Sequence, residues 1–175
     1  MILGEDVYIA KNVVIKHPER VWIGSHVAID DYFYLTTQLV MGDYCHISCH
    51  VSVTGGKTAV LQMGNFSHLA AHASLIVYGD ENLGDGLVSP VVPAEFRDSM
   101  VGGKITIGDF VTVATGAIVA PGITLEDGCL LAANSFAMQD IPEWEIWAGN
   151  PARFIRTRRK DIMIKNARAL GYYYE

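Results

Sequence analysis

The 175-residue sequence predicts an all-β fold, a parallel β-solenoid of triangular cross-section, on three observations. A thirteen-residue pattern recurs six times: "LGEDVYIAKNVVI" from Leu3, "IGSHVAIDDYFYL" from Ile23, "MGDYCHISCHVSV" from Met41, "MGNFSHLAAHASL" from Met63, "IGDFVTVATGAIV" from Ile107 and "LEDGCLLAANSFA" from Leu125. Within each copy large apolar residues stand six positions apart. Two intervals between copies, Ile23 to Met41 and Ile107 to Leu125, are eighteen residues, or three sixes. Internal repeats of this kind set the architecture before any local propensity does.

The columns of the repeat have a physical logic. The first position is always large and apolar (Leu3, Ile23, Met41, Met63, Ile107, Leu125), and the seventh always aliphatic (Ile9, Ile29, Ile47, Leu69, Val113, Leu131). The thirteenth carries Ile15, Leu35, Val53, Leu75, Val119 and Ala137. The fifth is small or medium (Val7, Val27, Cys45, Ser67, Val111, Cys129), and the second is glycine in every copy but the last, which has Glu126. A period of six is too long for a helix face, and strand alternation alone does not produce it. A six-residue side of a triangle does: one residue fills the interior, a smaller one packs beside it, and the rest face outward. The remaining intervals, of 20, 22 and 44 residues, place insertions at corners.

Half the residues are apolar and 18% are charged, the composition of a globular chain. One domain is expected at this length, with a real core. A net charge of -6 argues against general nucleic-acid binding, which needs a basic surface. The exception is local, "RFIRTRRK" at 153–160, a cluster suited to an anionic group. Cys45, Cys49 and Cys129 form neither a CxxC pair nor a disulfide framework. With no signal-peptide core and no apolar run long enough to cross a bilayer, a cytoplasmic protein without membrane insertion is expected.

The 44-residue interval holds "YGDENLGDGLVSPVVPAEFRDSMVGGK" (78–104), rich in Gly, Pro and acids, which reads as a long loop leaving the solenoid. Loops of this length are either disordered or functional; the functional form is a flap that lines a site or reaches a neighbouring subunit. After the sixth copy, Pro142 and Pro151 interrupt the β pattern and Gly149 permits a turn or a close ligand approach. The solenoid domain is thus placed at 1–156. A tail at 157–175 is expected to form a short C-terminal helix packed on it.

These repeats, together with "IPEWEIWAGNPARFIRTR", resemble the hexapeptide-repeat, left-handed parallel β-helix acyltransferases over roughly residues 3 to 156. The resemblance implies acetyl-CoA as cosubstrate and a homotrimer with coenzyme A held in a groove between adjacent subunits. The matching positions for the pantetheine arm are Thr112, Ala114, Ala117, Ala132 and Ala133. For the nucleotide they are Gly149, Asn150, Pro151, Arg153 and Arg156, with Arg158 and Arg159 also able to meet phosphates, since guanidinium groups make forked contacts with them. The pieces His46-Ile47, Gly55-Gly56, Asp80-Glu81 and Pro90-Val-Val-Pro93 resemble the branch acting on nucleotide-linked or surface-polysaccharide sugars. The histidine that the maltose and galactoside branch carries near the long loop is replaced here by "YGDEN".

Histidines 46 and 68 share the sixth column, and histidines 50 and 72 the tenth. Neither column faces inward, so the four form a two-by-two array on the outside of adjacent coils. Acyl transfer from a thioester requires the attacking amine or hydroxyl to lose a proton, which a histidine does well near neutral pH. His46 is the first candidate for this base and His72 the second. His50, His68, Asp80 and Glu81 are candidates for binding the sugar or nucleotide-sugar acceptor. Two rival readings remain at this point. One is a zinc hydratase resembling the carbonic anhydrases of the same fold, although equal columns make the side chains parallel, whereas zinc needs three or four ligands converging on a point. The other is a purely structural solenoid, which leaves the long loop and the "WAGNPAR" tail without a role.

Overall fold

The computed structural model describes residues 1–174 and is a three-sided parallel β-helix. The first face stacks Ile2–Leu3, Val21–Ile23, Gln38–Met41, Val60–Met63, Lys104–Ile107 and Thr124–Leu125. The second stacks Val7–Ile9, Val27–Ile29, His46–Ile47, His68–Leu69, Thr112–Val113, Leu130–Leu131 and Glu145–Gly149, closed by the antiparallel strand Ala152–Thr157. The third stacks Val14–Ile15, Tyr34–Leu35, Ser52–Thr54, Ser74–Ile76, Ile118–Val119 and Phe136–Ala137. The register reproduces the sequence columns. Leu3 pairs with Ile23, Ile23 with Met41, Met41 with Met63, Met63 with Ile107, and Ile107 with Leu125.

Interior positions are filled from all three faces: Leu39, Leu61, Ile105 and Leu125 from the first, Ile29, Ile47, Leu69, Val113 and Leu131 from the second, and Leu35, Val53, Leu75 and Val119 from the third, each wholly buried. The fifth column packs beside them. Burial pushes the Cys45 and Cys129 thiols up to about 12, so both are inert packing residues rather than nucleophiles.

The near-constant glycine of the second column is explained by close approach between coils. A side chain on Gly42 or Gly64 would strike the carboxamide or carboxylate oxygen of the third-column residue one coil on, Asn65 or Asp109. Each of those oxygens accepts a backbone N–H. Ser25 N–H donates to Asp43 at 2.6 Å, Asp43 N–H to Asn65 at 2.8 Å, and Asp109 N–H to Asp127 at 2.8 Å. This side-chain ladder satisfies the backbone donors that the first corner leaves out of the sheets. In the last copy Glu126 replaces glycine because the coil there is no longer regular, and its carboxylate accepts Glu143 N–H instead.

At the same corner the fourth column adopts left-handed backbone at Asp6, His26, Tyr44, Phe66, Phe110 and Gly128, and Trp144 continues it one coil past the last copy. Their rings form a ladder: His26 on Tyr44 at 4.5 Å, Tyr44 on Phe66 and Phe66 on Phe110 at 5.2 Å, Phe110 beside Trp144 at 5.8 Å. The C-terminal segment closes over it, with Tyr172 edge-on to Tyr44 and Phe66, and Tyr174 edge-on to Phe110. The expected terminal helix is Asp161–Ala169, held by the buried Ile164 and Ala167; Glu175, the last residue of the expected tail, lies outside the described residues.

The long insertion leaves at the third corner and is ordered. Tyr78–Asp80 and Met100–Gly102 pair as an antiparallel hairpin, and Asp98 is buried with its carboxylate accepting Gly84 and Ser99 N–H. Its two ends meet where Gly103 N–H donates to Val77 O at 2.8 Å. Met63 therefore stays in register with Ile107 across the insertion. Among the described residues no helix is long and apolar enough to cross a membrane.

Candidate active site

The histidines stand in two separate stacks. His46 and His68 project from neighbouring strands of the second face with ring centroids 4.9 Å apart and planes 11° from parallel. His50 and His72 stack at 4.9 Å and 4° on the second corner, where both have left-handed backbone (φ 59° and 62°). Tyr32 extends that stack one coil back, at 4.7 Å from His50. The stacked rings present parallel faces rather than converging nitrogens. Among the described residues no three His, Cys, Asp or Glu side chains are grouped to hold a metal ion.

The two members of the first stack differ. His46 Nε2 lies 2.9 Å from Asp30 Oδ2, a partner the sequence reading missed. The signal was present: Asp30 sits in the eighth column of the preceding coil, beside the sixth-column histidine. His68 is half-buried, and its Nε2 is sealed from solvent without a partner. Burial lowers its pKa below the ordinary 6.5, the nearby His46 lowers it further, and Asp30 opposes the shift. A ring nitrogen sealed from solvent without a partner disfavours the doubly protonated, charged form.

A stability prediction follows from that sign. As pH falls below about 6.5, an unfolded histidine takes up a proton that folded His68 refuses. Stability carried by His68 is therefore complete above 6.5 and declines through the window between 6.5 and its lowered folded value. The urea midpoint should drop less between pH 7.5 and 5.5 in His68→Gln than in wild type. Equal drops would assign the acid sensitivity to other groups.

Asp80 and Glu81 lie at the third corner, across the whole third face from His50 and His72. Asp80 Oδ1 meets Arg97 Nη2 at 3.3 Å, a second partner the sequence did not announce. The Gly55-Gly56 corner, Asp80, Pro90 and Arg97, distant in sequence, line one cleft of ≈ 410 Å³. The structure thus brings together three of the four sequence pieces that resemble the nucleotide-sugar branch and leaves His46 outside them. Glu81 is exposed at the cleft's edge.

Of the residues expected at coenzyme A, Ala114 and Ala132 are half-buried and Ala133 is exposed, near the second corner. The Ala117 methyl is wholly buried in the core, because the eleventh column points inward. Gly149, Asn150 and Pro151 form the exposed tip of the terminal hairpin, with Gly149 at φ 106°. Arg153 and Arg156 are exposed and make no ion pair among the described residues. Arg158 departs from expectation. It turns inward and donates to Phe110 O (2.8 Å), Gly128 O (3.0 Å), Cys129 O (3.3 Å) and Thr112 Oγ1 (3.4 Å). It is thus a staple across two coils, and Thr112 is its partner rather than a free hydroxyl.

No family model matches the chain. In sequence it is 27% identical over 165 residues to a dTDP-4-amino-4,6-dideoxy-D-glucose acyltransferase of Escherichia coli, covering 92% of this chain and 84% of that one. It is also 27% identical over 158 residues to a putative lipopolysaccharide biosynthesis O-acetyl transferase of Escherichia coli K12, covering 85% and 74%. In structure it is similar to a variant of AntD, an N-acyltransferase from Bacillus cereus in complex with dTDP-4-amino-4,6-dideoxyglucose and coenzyme A. The TM-score is 0.89 with 25% identity, over 97% of this chain and 90% of that one. The fold matches the left-handed parallel β-helix that the resemblance implies.

Proposed function

We propose, from the premise that the chain is a left-handed β-helix protein of the hexapeptide-repeat acyltransferase kind, that it moves an acetyl group from acetyl-CoA to a sugar amine or hydroxyl. The acceptor is a nucleotide-linked sugar, most simply an aminosugar used in surface-polysaccharide synthesis. The observation that carries this is the likeness over most of the chain to an aminosugar-nucleotide acyltransferase and to a coenzyme A complex of an N-acyltransferase.

The working unit is a cytoplasmic homotrimer. Within one subunit the histidines of the second corner and the Asp80 cleft of the third corner face different sides of the triangle, and a neighbouring copy supplies the missing side. Coenzyme A lies along the late coils, its pantetheine arm beside Ala114, Ala132 and Ala133 and its phosphates at Arg153 and Arg156. His72 is then the proton acceptor in preference to His46. It stands one coil from Gly116, which has no side chain to cover it, whereas His46 is two strands from Thr112 and already bonded to Asp30. The acceptor nitrogen or oxygen attacks the thioester carbonyl, its proton passes to His72, the C–S bond breaks, and the thiolate leaves to be protonated. Asp80, held by Arg97, receives the acceptor's polar groups.

The direct test is incubation with acetyl-CoA and a dTDP-linked 4-amino-4,6-dideoxyglucose, following free thiol and a product mass gain of one acetyl group. Calorimetry should show coenzyme A binding that the Arg153→Ala, Arg156→Ala pair weakens about tenfold or more, each lost charge-assisted contact being worth about 1–3 kcal/mol. Absence of both binding and thiol release with any aminosugar nucleotide would overturn the reading.

A further inference from the structure

The outer side of the second face carries a ladder with one rung missing. Its sixth-column residues run in continuous register: Tyr8 beside Ala28, Ala28 beside His46, His46 beside His68. His46 and His68 stack at 4.9 Å, close to one strand spacing. Ala28 interrupts the run, so Tyr8 and His46 sit on strands two spacings apart, about 9.6 Å. That is the room one flat ring takes when it stacks on both neighbours at the ladder's own interval.

The gap lies in a shallow surface cleft of ≈ 350 Å³, whose lining includes Asp6, Tyr8, His26, Ala28, Tyr44 and His46. Its polar groups stand at the edges, with Asp6 Oδ2 3.2 Å from His26 Nδ1 and Asp30 fixing the His46 ring from the far side. No lysine or arginine lines it. Aromatic walls, a methyl floor and the Asp6 carboxylate among the lining suit an uncharged heterocycle with N–H edges and not a phosphate.

We infer that this gap binds the pyrimidine base of the nucleotide-linked acceptor, sandwiched between Tyr8 and His46. The identity of the ligand rests on the acyltransferase reading; the site itself rests on the register and the cleft. The Ala28 strand is three strand spacings, about 14 Å, from the strand of Thr112, which leaves the length of the second face for the diphosphate and sugar to reach the thioester. His46 becomes a binding residue whose ring Asp30 holds in place.

The test uses thymidine 5′-diphosphate and uridine 5′-diphosphate as probes, titrated by calorimetry into the full chain and two variants. Ala28→Phe fills the missing rung with a ring of the protein's own. Tyr8→Ala, at a side chain 60% exposed, removes one wall with little risk to folding. Each should weaken nucleotide binding about ten- to a hundredfold, the range for losing one base–aromatic stack, and leave coenzyme A binding unchanged. Nucleotide binding unaltered in both variants overturns the inference, as does failure of both nucleotides to bind wild type. Loss of coenzyme A binding with nucleotide binding retained would place the adenine of coenzyme A in the gap, and overturns it too. Nucleotide binding that follows the expected pattern in a protein without transferase activity supports the base site while the acyltransferase reading falls.

Discussion

Gly64→Ala is expected to lower stability by about 3 kcal/mol or more, although it adds a single methyl. Gly64 is not held for a special backbone angle, since it is absent from the left-handed set. The new carbon would fall on the Asp109 carboxylate oxygen, and within 2.7–2.8 Å of Gly108 C and Asp109 N. Backbone cannot move aside there without parting two strands of the first face. The carboxylate cannot move without abandoning Asn65 N–H, which donates to it. Overpacking and an orphaned buried donor therefore act together. Gly79→Ala is the control, because its added carbon finds only Ile76 Cγ2, at an ordinary 3.5 Å. Urea unfolding of the two variants separates the cases. A Gly64→Ala midpoint equal to that of Gly79→Ala would show that the coils can part at little cost.

The second large effect is on catalysis. His72→Gln should lower kcat about 10²- to 10⁴-fold, the contribution of a positioned general base, with coenzyme A affinity intact. His46→Gln should instead raise the KM for the acceptor and leave kcat within a few-fold. If His72→Gln keeps full kcat while Asp80→Asn loses it, the proton acceptor is the carboxylate of the third-corner cleft, and the histidine stacks serve only to bind.

The columns of the solenoid were legible because the interior of a triangular coil accepts only certain sizes at fixed intervals, and every copy must obey. Glycine at the second position, aliphatics at the first, seventh and thirteenth, and the insertion points all appear as read. The first corner was not legible. Left-handed backbone costs a bulky residue roughly 1–2 kcal/mol, so rules of local propensity do not place Tyr44, Phe66 and Phe110 there. What offsets the cost is a stacking contact with the ring one coil away, of similar size, between residues separated in sequence by 22 and 44 positions.

The site was half legible for a related reason. Small residues on a coil suit both a ligand arm and the interior, and only the direction of the eleventh column decides that Ala117 belongs to the core. Arg158 resembled its basic neighbours until its targets were visible, three carbonyls from two different coils. The pairs Asp30–His46 and Asp80–Arg97 likewise join residues that no short motif links.

The hydrogen bond from Gly103 N–H to Val77 O means that the insertion begins and ends at one point on the solenoid. The coils before and after it remain paired, so the 78–102 stretch is an attachment and not a structural member. A graft of a foreign hairpin at those two residues would leave the register of the scaffold untouched. Any acceptor contacts the flap makes could then be exchanged as a cassette, with the coils that carry it left in place.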